Sequence, residues 1–352
     1  MNKELNEETN ESAPLSILKQ DRLGLLKLSV KAAFMGGAPA LRDIENRIRE
    51  TLGSDAQILT DISTYLLELG GKRMRPLLTI LASQLFKMKT PTKDLIDAAA
   101  GIELIHMATL LHDDIIDQSP LRRSKPSAYS QYGLPATLLT GDFLLVRAFG
   151  LCAQLDSFVI KETEKACIAL TEGEITEGII DPSKYIPSLE AYIDVVEKKT
   201  ASLFALSSVV GAHLSGASEK EVTKLRVFGR YAGVAFQMID DILDITADED
   251  LLGKPAGTDI RQKTPSLVNL LWLKEEPEVA KKFFMKDSSE AEIKETLIYL
   301  SHSPVIEKAR LEAKDYAGRA TNALLALDEN MIDTKVRSQL FSLLDYTLER
   351  CL

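Results

Sequence analysis

Apolar residues recur three and four positions apart along almost the whole of this chain, and that period belongs to amphipathic helix. Ile58, Ile62, Tyr65, Leu66 and Leu69 fall on one such face. Ser54 with Gln57, Ser218 with Glu221 and Ser289 with Glu292 have the spacing of capping boxes, which satisfy orphan N–H groups of a first helical turn. Gly70 and Gly71 are placed to end the first of these helices. Pro91, Pro120, Pro135, Pro187, Pro265, Pro277 and Pro304 fall between periodic stretches, where helices stop or start. The 19 glycines and 13 prolines are about 9% of the chain, below the roughly 12% of ordinary proteins. No stretch alternates apolar and polar residues with hairpin signals at its ends. No linker or fixed repeat divides the chain. The expectation is one all-α domain over residues 17–352, preceded by a polar, acidic, disordered extension over residues 1–16.

The formal charge is -10, which argues against general binding of nucleic acid, because phosphates would be repelled. Any phosphate site must come from a local basic cluster. Cys152, Cys167 and Cys351 form neither a CxxC pair nor an even framework, and the N-terminus lacks the apolar core of a signal peptide. A reduced, cytoplasmic setting follows. Residues Thr200 to Ser218 carry no Asp, Glu, Lys or Arg, but Ser202, Ser207, Ser208, His213 and Ser215 interrupt them. A helix buried inside a large helical protein explains this run better than a membrane span.

Chemistry concentrates in three places. The first is HDDIID, residues 112–117, late in a helix that begins near Thr92 and stops at Ser119–Pro120. Asp113 and Asp117 are four apart and share a face, where like charges repel and the negative helix end adds to the cost. A cation resolves this. Carboxylate oxygens suit Mg²⁺, which keeps several waters and takes phosphate oxygens as further ligands. The second is FQMIDDILD, residues 236–244, where Asp240 and Asp244 repeat the spacing, with Asp241 and Gln237 beside them. The neighbours are apolar, so these carboxylates are not a solvated face. If the two helices face each other, they form two walls of a cation-lined cleft that a diphosphate would bridge. The third is GGKRMRP, residues 70–76, with Lys72, Arg73 and Arg75 ahead of a helix-opening Pro76. Cations at a helix N-terminus await an anion. Arg122 and Arg123 follow the first acidic motif.

GGKRMRP, IHMATLLHDDIIDQSPLRR, GDFLL, EGE, KKT, FQMIDDILD and GKPAGTD occur in that order. With these blocks the chain resembles, along nearly its whole length, the trans-type isoprenyl diphosphate synthases, or polyprenyl synthetases, and in particular the long-chain bacterial type. The resemblance implies a single-domain antiparallel helical bundle around a deep central cavity, acting as a homodimer. It implies three Mg²⁺ ions, two held by Asp113 and Asp117 on an allylic diphosphate and one by Asp240 with Asp244 nearby. Arg122, Lys199 and Lys254 then contact the allylic diphosphate. Lys72, Arg75, His106 and Arg123 contact isopentenyl diphosphate, and His106 lies two turns before Asp113 on the same face. Lys199, Thr200 and Gln237 face the reacting carbons, with Asp114, Asp241 and Phe236 in support. Two departures stand out: Ser124 where the family commonly has Gly, and IRQKTPSL after Asp259, where Lys263 is the candidate for a lysine the family carries.

The implied reaction is ionisation of the allylic diphosphate, attack by the double bond of isopentenyl diphosphate, and proton loss. A terpene cyclase would need a different second metal motif and no isopentenyl site. A regulatory subunit would have lost its acidic motifs. Product length is read from Ala108, five residues or about 7.5 Å from Asp113 along the helix, with the modest Thr109 beside it. In short-chain relatives an aromatic residue near here closes the floor. Small residues predict a hexaprenyl to decaprenyl product, as used in quinone side chains. The alternatives are a short-chain product, or an Ala108 that serves helix packing only.

Overall fold

The structure is a computed structural model that describes residues 37–180, 187–247, 256–286 and 288–349. The expected extension over residues 1–16, Lys254 and Cys351 lie outside the described residues. What is described is almost entirely helical, as the periodicity requires. Residues 37–51 form α1, followed by α2 (Gln57–Glu68), α3 (Met74–Leu85), α4 (Lys93–Ile116), α5 (Ala128–Tyr132), α6 (Leu134–Cys152), α7 (Ser157–Ile179) and α8 (Leu189–Val196). One turn of π-helix, Glu197–Ala201, joins α8 to α9 (Ser202–Leu214). Then come α10 (Glu219–Thr246), α11 (Thr258–Gln262), α12 (Leu267–Glu275), α13 (Pro277–Phe284), α14 (Glu290–Ser301), α15 (Pro304–Leu325) and α16 (Thr334–Glu349). Two two-residue strands, Leu121–Arg122 and Lys125–Pro126, make a small antiparallel hairpin after α4.

Helix α4 packs along α6, α10 packs along α15 and α9, and α3 bridges to α9. Missing side chains set the closest approaches. A Cβ at Gly101 would meet Cys152, and one at Gly141 would meet His112, so α4 and α6 run antiparallel. A Cβ at Gly233 would lie 2.5 Å from the Ala201 Cα, and at Gly229 2.6 Å from the Phe204 carbonyl oxygen, which seats α10 against α9. The run from Thr200 to Ser218 is a core helix as expected. Ser207 and Ser208 in α9 are buried and donate back to the carbonyls of Leu203 and Phe204.

The capping boxes of Ser218–Glu221 and Ser289–Glu292 form in full. That of Ser54–Gln57 does not. The α2 N-cap is Ala56, so Ser54 stands two residues too early. Its hydroxyl accepts from the Ala56 N–H at 3.2 Å, a local turn that competes with a cap. Helices α4 and α6 are long and apolar enough to cross a membrane by length and composition. Most of α4 is buried. Helix α6 leaves Leu138, Leu139, Val146 and Phe149 exposed, and α7 leaves Ile160, Ile168, Ile175 and Ile179 exposed.

Candidate active site

The end of α4, the C-terminal half of α10, the π-turn and the 70–75 loop converge on a cavity of about 560 Å³. Asp113 and Asp240 line it from opposite sides, together with Lys72, Arg75, His106, Arg123, Lys199, Thr200, Phe236 and Gln237. The two acidic helices therefore do face each other. A second cavity of about 700 Å³ has mainly apolar walls and shares Thr109, Asp113 and Lys199 with the first. A third, of about 160 Å³, holds Asp117, Asp241 and Asp259 and shares Lys199, Thr200 and Gln237. Lys199 stands where all three meet.

The π-turn explains why EGE and KKT go together. Its extra residue re-aims the side chains. Lys198 turns out to Asp194 at 2.8 Å, while Lys199 turns in to Glu174 at 2.8 Å and to Glu177. The turn lies directly on α7 at Gly173, where a Cβ would sit 2.8 Å from the Lys199 backbone nitrogen. Burial works against the charge on Lys199, but Glu177, Asp113 and Glu174 together hold its pKa above the ordinary value.

A chain of hydrogen bonds orders the second acidic helix. The Thr200 hydroxyl donates to Gln237 Oε1 at 2.8 Å, and Gln237 Nε2 donates to Asp241 Oδ1 at 2.9 Å. Asp241 Oδ2 accepts from the Tyr192 hydroxyl at 2.8 Å and from the Leu267 N–H at 2.9 Å. Burial pushes the Asp241 carboxyl up to about 6, against these bonds. Asp241 thus joins Gln237 to Tyr192 and to the start of α12, and Tyr192 is a partner the sequence did not single out. Asp244 is buried, and its Oδ2 accepts from the Asp259 N–H at 2.9 Å. It anchors the turn into α11 and lines none of these three cavities, so Asp240 is the one carboxylate of this motif that lines the 560 Å³ cavity.

On the first acidic helix, Asp114 is buried and holds Arg122 through two donors at 2.7 and 2.8 Å. Asp117 is the C-cap of α4, and its carbonyl accepts from Gln262 at 3.3 Å. Burial pushes Asp113 up to about 7, with Lys199 opposing and Glu174 and Asp117 adding. Arg123 and Ser124 both have positive φ, 53° and 62°, so Ser124 adopts the conformation that a glycine takes more readily. The Arg123 guanidinium lies over Gly71, where a Cβ would be 2.8 Å from it. Arg75 stacks 5.3 Å from the centre of the Phe204 ring, which in turn lies 5.2 Å from Phe236. Burial, then Arg75, Arg122, Arg123 and Arg73, hold His106 well below its ordinary pKa, which favours the neutral ring. Lys263 donates to the Lys286 carbonyl at 3.0 Å and lines none of the three cavities.

The expectation for Ala108 needs correction. It is fully buried in the core between helices and lines neither large cavity. The apolar cavity is walled on α4 by Ile105, Thr109, His112 and Ile116, a stripe at helical spacing. Asp113 and Ile115 on α4 line it as well, so Ala108, about 40° from His112 and about 60° from Ile105 around the helix, lies within the same arc, and it is packing in the core that closes its side chain off from the cavity. Thr109 lines the cavity, and so does His112, given no role from the sequence.

Among the described residues no three His, Cys, Asp or Glu side chains converge as a closed metal site. The acidic groups instead stand on separate walls. Hard carboxylate oxygens with room for outside ligands fit a cation that shares its coordination with water and phosphate, as Mg²⁺ does.

The polyprenyl synthetase family model matches residues 56–300. The chain is 34% identical over 311 residues to nonaprenyl diphosphate synthase of Mycobacterium tuberculosis, covering 87% of this chain and 91% of that one. It is 35% identical to a short chain isoprenyl diphosphate synthase of Methanocaldococcus jannaschii, over 77% and 84% of the two chains. The fold matches a polyprenyl synthase of Caulobacter crescentus, complexed with calcium and isoprenyl diphosphate, at a TM-score of 0.84 and 30% identity over 92% and 98% of the chains. Two facing acidic helices, a basic loop and an apolar cavity thus occur on a shared fold and sequence, and the chain belongs to the polyprenyl synthetase family.

Proposed function

We propose that the protein is a Mg²⁺-dependent prenyltransferase. It condenses isopentenyl diphosphate head to tail with an allylic diphosphate, giving a long-chain all-trans polyprenyl diphosphate for quinone side chains. The observation that carries this reading is one cavity with carboxylates on two walls and cations on a third, continuous with an apolar cavity through Thr109 and Asp113.

Asp113 and Asp117 would hold two ions for the allylic diphosphate, and Asp240, steadied by the turn that Asp244 anchors, would hold a third. When bound, Mg²⁺ supplies the positive charge that draws off the allylic diphosphate. Lys199, Arg122 and Lys254 meet the same diphosphate. Lys72, Arg75 and Arg123 bind isopentenyl diphosphate, and neutral His106 gives it a hydrogen bond rather than a charge. The Thr200 hydroxyl and the Gln237 carbonyl oxygen face the allylic cation, their direction set by the bonds through Asp241 to Tyr192. Apolar walls exclude water from it. The departed diphosphate takes the proton.

Length of product follows from the second cavity. Below Thr109 its walls are Ile105, Leu145, Cys167, Ile168 and Leu170, and the aromatic residue among them, Phe149, belongs to the far part of α6. The nonaprenyl-forming relative supports a long product, and the short-chain relative keeps a short one as the second reading. The exposed apolar residues of α6 and α7 suit a second copy, so we propose a homodimer in the cytoplasm. The test is conversion of labelled isopentenyl diphosphate to acid-labile lipid by the purified chain. Product that requires both an allylic diphosphate and Mg²⁺, and is abolished by chelation, supports the reading. Incorporation that ignores either one overturns it.

A further inference from the structure

The basic loop carries three cations, Lys72, Arg73 and Arg75, and they do not do the same thing. Arg73 is the N-cap of α3 and has left-handed backbone angles, φ 46° and ψ 40°. A residue with a side chain holds such a conformation only when its surroundings impose it. Its guanidinium is held from three directions. Nη1 donates to Glu103 Oε1 on α4 at 2.9 Å. Nε and Nη2 donate to Glu45 Oε1 on α1 at 3.3 and 3.2 Å. Nη2 also donates to the Leu67 carbonyl in α2 at 3.0 Å. Glu103 is buried, and its Oε2 has no hydrogen-bond partner although it belongs to the wall of the basic cavity.

We propose that Arg73 binds no diphosphate and is a positioning residue. With Glu103 and Glu45 it clamps α1, α2 and α4 together and presents Lys72 and Arg75 to isopentenyl diphosphate. The proposal rests on the assignment of Lys72, Arg75 and Arg123 to that substrate. Its physical basis is that neighbouring cations repel when no anion is bound. A fixed carboxylate between them keeps the loop in its binding shape through that interval. A buried charge left without its partner is strongly disfavoured, so Glu103 and Arg73 hold each other.

Steady-state kinetics of the full-length protein, each diphosphate varied in turn, test this with Arg73→Lys, Glu103→Gln, the milder Glu45→Gln at the exposed end of the clamp, and Lys72→Ala as reference. Arg73→Lys keeps the charge and loses the fork. It should raise the isopentenyl KM about ten-fold and leave the allylic KM within about two-fold, with unchanged helicity. Glu103→Gln and Glu45→Gln should raise the same KM. Arg73→Lys with Glu45→Gln together should be no worse than Arg73→Lys alone, because Glu45 acts through Arg73. If Arg73 were instead a diphosphate ligand, releasing it from its carboxylates would lower the isopentenyl KM in Glu103→Gln and Glu45→Gln. That result overturns the proposal, as does an equal rise in both KM values. If Lys72→Ala raises the isopentenyl KM while the clamp variants do not, the substrate assignment stands and the clamp falls. If Lys72→Ala leaves it unchanged, the assignment falls and the clamp with it.

Discussion

Replacing Gly173 by alanine adds one methyl group where α7 lies directly on the π-turn. That carbon would lie 2.8 Å from the Lys199 backbone nitrogen, 2.9 Å from the Lys198 Cβ and 3.2 Å from the Lys198 carbonyl carbon. Ordinary contact begins at 3.4 Å, so the π-turn must retreat by about 0.6 Å. The atoms in the way include main chain, so no side-chain rotation relieves the clash. Helix propensity favours Ala over Gly by about 1 kcal/mol, and overpacking costs about 1–3 kcal/mol. The net loss of stability is therefore at most about 2 kcal/mol. Activity should suffer more. In the proposed reaction the turn aims Lys199 and Thr200 at the reacting atoms, and misplacement by 1 Å can cost about 100-fold. We expect kcat to fall at least about ten-fold by the same reasoning. Gly178, on the same helix, has nothing within 4 Å of its would-be Cβ and provides the control. Gly178→Ala should keep full activity and gain up to about 1 kcal/mol. Thermal melts followed by circular dichroism, with single-turnover rates on the same samples, separate the two effects. Full activity in Gly173→Ala would refute the claim that the packing of α7 against the π-turn sets the aim of Lys199.

Asp113 carries a pH dependence. Burial lifts it from its ordinary 3.8 to about 7, so the folded chain binds a proton that the unfolded chain has lost. This group therefore stabilises the metal-free protein at acid pH, and the contribution is lost as pH rises from 3.8 through about 7. Asp113→Asn should raise the melting temperature of chelated protein at pH 8, do much less at pH 5, and abolish Mg²⁺-dependent turnover. The cations around His106 and its burial favour the neutral ring, so His106→Gln should retain most isopentenyl affinity with no new ionisation in its KM–pH profile between pH 6 and about 8; a large rise in KM would mean the ring is charged. Thr109→Phe should shorten the product, read by chromatography of dephosphorylated prenols. Ala108→Phe should instead cost about 1–3 kcal/mol of stability through overpacking, seen as a lower melting temperature, and an intact fold with a shorter product would restore Ala108 to the wall.

The helices and both acidic walls were legible because their signals are local. Periodicity places Asp113 and Asp117 on one helical face, and an apolar helix interrupted by Asp240 and Gln237 announces a buried polar function. What stayed hidden depends on contacts between distant segments. The residues Glu197–Ala201 read as ordinary helix, since the extra residue of a π-turn leaves the composition unchanged. EGE was visible as a motif, but the reason for its glycine appears only when α7 lies on that turn. Ala108 and Thr109 differ by one helical step, and only packing decides which one faces the cavity. Tyr192 is 49 residues from Asp241, and nothing near it in sequence marks it as a partner. Arg73 looks equivalent to Lys72 and Arg75 until its left-handed backbone turns it to Glu103.

The central claim is that two acidic walls, a basic loop and an apolar cavity together make a long-chain prenyltransferase. The most direct measurement incubates the purified chain, with nothing else added, with Mg²⁺, labelled isopentenyl diphosphate and geranyl, farnesyl or geranylgeranyl diphosphate in turn. The dephosphorylated products are then sized by chromatography. The account predicts all-trans prenols in the hexaprenyl to decaprenyl range. Products no longer than geranylgeraniol would contradict the open cavity, and no condensation by the chain alone would contradict the active site itself.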